Sequence, residues 1–175
     1  MSPNVVFLTA IKFPGQEYRS EPYKYGIDSW KHWCEDNQCE LFVLDEPIFE
    51  SEYCKPNFYR YWAFDLLDAS GVKYNQICLT DADCVIHPEC PNFFELTENK
   101  YTVTNTEGSM DWVCRSLENY RKYIFKESFP LHRYFNAGFQ VVNKIHRPLF
   151  DELHEFYEKN REQILWMQSN FAVGT

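Results

Sequence analysis

One segment of the chain concentrates the chemistry. In Ile77-Cys78-Leu79-Thr80-Asp81-Ala82-Asp83-Cys84-Val85-Ile86 an apolar run ends in two aspartates one residue apart, and the chain then turns apolar again. Two carboxylates this close repel each other unless a proton or a cation stands between them. A divalent ion meets that need: hard oxygen ligands suit Mg²⁺ or Mn²⁺, which also engage the oxygens of a bound nucleotide's phosphates. An Asp-x-Asp triplet can also merely close a strand and cap a turn. The apolar residues on both sides set this one apart from an ordinary surface turn. A second segment, Arg133-Tyr134-Phe135-Asn136-Ala137-Gly138-Phe139-Gln140-Val141-Val142, puts an amide and two small residues where a strand begins. Asn136 offers donors and acceptors, and Ala137 and Gly138 let a ligand approach the backbone closely. The same residues would serve a plain loop-to-strand turn.

Short apolar runs alternate with longer amphipathic stretches around these segments, the pattern of an α/β domain. Strands are predicted at 5–8, 40–44, 76–79, 101–105 and 138–142. Helices are predicted at 25–36, with Ile27, Trp30, Trp33 and Cys34 on one face, at 58–69, at 112–125, and from 147 to about 167. Pro148 suits the first turn of the last helix, and a loop is expected around Pro14, Gly15 and Pro22. In open α/β sheets ligands bind beyond the carboxyl ends of the strands, and the aspartates close the third strand.

The chain has 175 residues, 45% hydrophobic and 25% charged, which suits one globular domain and excludes disorder or low complexity. Seventeen Lys and Arg against 26 Asp and Glu leave a net charge of −9. That balance argues against a nucleic-acid reader or a binder of anionic membranes, both of which need a basic face. No stretch approaches the roughly 20 apolar residues of a membrane span, and the first residues lack the pattern of a secretory signal. Seven scattered cysteines without a Cys-x-x-Cys pair argue against a disulfide scaffold or structural zinc. They suggest reduced thiols in a cytoplasmic protein, with Cys78 and Cys84 as small buried hydrophobes.

Taken in order, the Asp81-Ala82-Asp83 motif after a strand and Phe135-Asn136-Ala137-Gly138-Phe139 opening a later one resemble the GT-A glycosyltransferases. Within them the likeness is to glycogenin-like and related nucleotide-sugar transferases, and it spans 5 to about 142. It implies a single Rossmann-like domain with a mostly parallel central sheet flanked by helices. It further implies that Asp81 and Asp83 bind Mn²⁺ or Mg²⁺ through the diphosphate of a UDP- or GDP-type sugar. Asp83 is then the direct ligand, and Asp81 reaches the ribose or the metal. Thr9, Ala10 and Ile11 would lie near the base, and Asn136, Ala137 and Gly138 would border donor sugar and acceptor, a glycan or a protein.

Arg60, on the helix before the metal strand, could help neutralise the departing diphosphate, although a solvated helix arginine is the plainer reading. The resemblance also leads one to expect a later His and an Asp-Gln-type motif. Neither appears before Thr175; His132 is the one histidine of the later half in a site-like position. The domain is therefore expected to lack its C-terminal part, with the site completed by a partner or a second copy. Two other readings stand: a haloacid-dehalogenase-type phosphatase with Asp81 as nucleophile, and a module that binds sugar nucleotides or carbohydrate without turnover.

Overall fold

A computed structural model describes residues 3–13, 15–105 and 109–171. In chain order the elements begin with β1 (Val5–Thr9), α1 (Glu17–Ser20), α2 (Tyr23–Asp36), β2 (Glu40–Leu44), a 3₁₀ helix (Pro56–Trp62) and α3 (Ala63–Ala69). They continue with β3 (Gln76–Asp81), α4 (Phe93–Leu96), β4 (Thr102–Asn105), α5 (Met110–Tyr120), a π-helical turn (Arg121–Phe125), β5 (Phe135–Asn143) and α6 (Arg147–Asn170). The strands form one sheet in the order β2-β1-β3-β5-β4. Its core, β2-β1-β3, is parallel, and β5 runs antiparallel between β3 and β4.

The strand sequences explain their place. Val5, Val6, Phe7 and Leu8 are all fully buried, as a strand covered on both faces requires. Successive side chains point to opposite faces. Val5 and Phe7 join Phe64, Leu67 and Phe150 from α3 and α6, while Val6 and Leu8 join Trp30, Trp33 and Cys34 of α2. Ile77 and Leu79 of β3 pack on the first side and Cys78 on the second.

Several expectations shift in detail. The predicted helix at 58–69 is two pieces, the 3₁₀ helix and α3. The one at 112–125 is α5 followed by the π-helical turn, which Lys126 ends in the left-handed region at φ 62°. The expected loop around Gly15 and Pro22 contains α1. Strand β5 starts at Phe135, so Asn136-Ala137-Gly138 lies inside it. Cys84 is exposed instead of buried, and Val85, 66% exposed, points outward, leaving Ile86 alone to return to the core. All seven cysteines are free thiols. No described helix is long and apolar enough to cross a membrane. Residues 172–175 lie outside the described residues.

Candidate functional site

The three parallel strands end in register: Thr9 of β1 is paired with Leu44 of β2 and with Asp81 of β3. Because β5 runs the other way, its first residues lie beside the last residues of β3, with Thr80 opposite Phe139. This reversal brings the two sequence motifs together. At Gly138 a Cβ would stand 3.3 Å from Asp81 Oδ2 and 3.0 Å from Asn136 Oδ1. The missing side chain therefore leaves room for the Asp81 carboxylate. Asn136 Oδ1 in turn accepts from the Gly138 amide at 2.8 Å.

Arg60 joins these parts. Its Nη2 donates to Asp81 Oδ1 at 2.6 Å, its Nη1 to the Ala137 carbonyl, and its Nε to the Asn57 carbonyl at 3.0 Å. Its side chain is 5% exposed against 31% for Asp81, so the pair is largely dry. Burial pushes the Asp81 carboxyl above its ordinary range; Arg60 opposes that and the nearby Asp83 reinforces it. The plainer sequence reading, a solvated helix arginine, is thus overturned: Arg60 is buried and clamps the start of β5 to the end of β3. The Ala137 carbonyl also accepts from Gln140 Nε2 at 2.9 Å, and Tyr101 donates to Gln140 Oε1.

The turn after Asp81 is held from the opposite face by α2. Trp30 Nε1 donates to the Cys84 carbonyl at 3.1 Å, and Ser29 Oγ accepts from the Ile86 amide at 3.2 Å. The Ala82 amide donates to the Thr9 carbonyl at 3.1 Å, tying the turn to β1. Gly26 makes this approach possible, since its missing Cβ would fall on the Ala82 carbonyl. Asp83 itself is exposed on that turn.

In front of these residues lies a cleft of about 510 Å³ lined by Thr9, Ile11, Arg60, Asp81, Ala82 and Asp83 among the residues expected from the sequence. Ala10 is fully buried behind it. Asn136, Ala137 and Gly138 do not line it; they adjoin it through Arg60 and Asp81. His132 lies exposed beside the start of β5 and is not among the lining residues. The cleft adds Phe13, Arg19, Tyr23, Lys55 and Asn57, which sequence reasoning missed. With Arg60 they give three cations to two carboxylates, a locally positive wall in an acidic chain. Thr9 Oγ1 is buried without a hydrogen-bond partner among the described residues. The only sequence signal for Arg19 and Lys55 is their nearness to Pro22 and Pro56, which mark loops.

Two carboxylates are a sparse metal site, and no group of three or more His, Cys, Asp or Glu that could hold a metal occurs among the described residues. They still fit a Mg²⁺- or Mn²⁺-type ion, which typically takes one or two carboxylates and completes its shell with substrate phosphates and water.

This mixed sheet with a parallel core, helices on both faces and a cleft at the carboxyl ends of the strands is a glycosyltransferase fold, GT-A-like. It matches the crystal structure of a glycosyltransferase involved in the glycosylation of the major capsid of PBCV-1, with a TM-score of 0.55 and 13% sequence identity. The match covers 89% of this chain and 66% of that one, so the chain spans just under two thirds of that enzyme's length. No protein-family model and no curated protein sequence matches the chain.

Proposed function

We propose that the chain binds a nucleotide-diphosphate sugar in this cleft, with a divalent ion held by Asp83 and the free side of Asp81, and transfers the sugar to an acceptor. The observation that carries the reading is the arrangement of the two aspartates. Asp81 is held in place by a buried arginine and Asp83 stands exposed, both at the carboxyl edge of a glycosyltransferase fold. When bound, the ion supplies Lewis-acid neutralisation of the diphosphate leaving group without proton transfer. The chain's own part is positioning and charge. Arg60 orients Asp81 and cancels one of the two negative charges. Arg19 and Lys55, which also line the cleft, favour an anionic ligand there. Thr9 and Ile11 border the nucleoside with Ala10 buried behind them, and Asn136, Ala137 and Gly138 support the cleft from beside it through Arg60 and Asp81. The resemblance to glycogenin-like enzymes and a cytoplasmic setting belong to this proposal.

The phosphatase reading gains no support from the geometry. Arg60 occupies only Asp81 Oδ1 and leaves Oδ2 free, so the arrangement does not by itself select a nucleophile, while the fold match is to a glycosyltransferase.

Thermal shift with UDP and GDP, with and without Mn²⁺, tests the reading. Nucleotide should raise the melting temperature only when the metal is present. Asp83→Asn should abolish that shift and leave the ligand-free melting temperature unchanged, since Asp83 is exposed. A full nucleotide shift in Asp83→Asn would sink the assignment. Metal-dependent binding without hydrolysis or transfer of any sugar nucleotide would instead favour the non-catalytic module.

A further inference from the structure

A second hollow, of about 310 Å³, shares the 3₁₀ helix with the aspartate cleft. With three residues per turn, residues i and i+3 stack into rows. Asn57 and Arg60 form the row facing the cleft, while Phe58 and Tyr61 form a row lining the hollow, joined there by Trp62. The opposite wall comes from the π-helical turn and α6, where Phe125 stacks on Phe156 with ring centroids 5.3 Å apart. Leu153 and Ile164 close it.

The walls are almost wholly apolar. By its share of liquid volume the space would hold about ten waters, yet it offers them few hydrogen-bond partners, and apolar cavities favour apolar guests. The polar side chains are mostly occupied. His154 Nε2 donates to the Tyr61 carbonyl at 2.8 Å, and its ring stacks on Trp62. Arg133 differs: it is exposed at the rim and has no ion-pair partner among the described residues.

From this lining we infer that the hollow binds the apolar body of an amphipathic small molecule whose anionic end sits at Arg133. On the function proposed above, and resting on it, that molecule is the acceptor. Tyr61 is next to Arg60 and Phe135 next to Asn136 along the chain, so the hollow is built on the same two segments that line and support the cleft.

The test uses 8-anilinonaphthalene-1-sulfonate and the uncharged N-phenyl-1-naphthylamine as probes of the folded chain. Both should bind saturably, one per chain, with enhanced fluorescence that is lost on unfolding in urea. Leu153→Trp, which fills the hollow, should weaken both by about tenfold or more without lowering the melting temperature; Ile164→Phe provides an independent filling if that variant folds poorly. Arg133→Gln should weaken the sulfonate about threefold, the scale of an exposed charge pair, and leave the neutral probe unchanged. Asp83→Asn should bind both normally, so failure of the nucleotide reading and failure of this inference are separable. Absence of saturable binding, or binding indifferent to both filling variants, would overturn the site. Equal loss of both probes in Arg133→Gln would overturn the anionic end. A dimer that dissociates as probe binds, seen by sedimentation, would give the hollow to a second copy and overturn the small-molecule inference.

Discussion

Replacing Gly26 with alanine measures how closely α2 presses on the aspartate turn. Inside an ordinary helix this change is favourable by about 1 kcal/mol, because glycine loses more backbone freedom on folding. Here the added Cβ would fall far inside contact with the Ala82 carbonyl oxygen, 3.0 Å from the Ala82 carbonyl carbon and 3.1 Å from Cys84 O. All three are backbone atoms, so no side-chain rotation relieves the overlap. The bonds from Trp30 to Cys84 O, from the Ile86 amide to Ser29 and from the Ala82 amide to Thr9 O resist displacement on both sides. Helix and turn must part by about 1 Å, and overpacking of this kind costs about 1–3 kcal/mol. Set against the helix gain, the expected net loss is up to about 2 kcal/mol. For a domain of this size that lowers the melting temperature by up to about 8 °C. Urea unfolding followed by tryptophan fluorescence, together with a thermal melt, reads the effect. The Mn²⁺-dependent UDP shift should weaken with it, because the turn that moves carries Asp83. A rise of about 2–4 °C would show propensity winning and would refute the close approach.

The Arg60–Asp81 pair makes a sharper prediction about charge. Arg60→Met leaves a largely buried carboxylate alone, and the loss should be about 2–4 kcal/mol, below the fully buried case because Asp81 keeps 31% exposure. Adding Asp81→Asn to that variant should recover part of the loss in urea titrations, and strictly additive effects would show that the two groups do not interact. The thiols set an alkaline limit. Burial pushes Cys34 up to about 12 and both Cys39 and Cys54 up to about 11, so above pH 9 the unfolded chain loses protons that the folded chain retains. Stability should therefore be full below the ordinary thiol range and fall as pH rises through 9 towards these values. A urea midpoint that stays level from pH 8 to 10.5 would contradict this.

Much of the scaffold was legible because its signals are local. Four consecutive apolar residues at 5–8, two of them β-branched and closed by Thr9, suit a strand covered on both faces, and they are fully buried. The spacing of Trp30, Trp33 and Cys34 marks one helix face, and that face is buried. Arg147 and Pro148 open α6 as expected. The aspartate motif was legible for the same reason: a strand, then acids, then a turn. The 3₁₀ winding of Pro56–Trp62 and the π-helical turn after Tyr120 were not, because apolar spacing suits several helix windings and packing against β1, β5 and α6 selects among them.

By itself, then, the chain's order of residues determined its α/β class, its strands and most of its helices, and the aspartate pair at a strand's end. These follow from periodicity and turn chemistry within a few residues. The tertiary structure decided what that pair can do. The reversal of β5 delivers Gly138 to Asp81 and the Ala137 carbonyl to Arg60. Arg60, 21 positions earlier, is drawn from solvent into a buried bond with Asp81. Gly26 is needed for its missing side chain, against a turn 56 positions later. No local pattern encodes such meetings, because they depend on which distant surfaces are brought together when both faces of the sheet are buried.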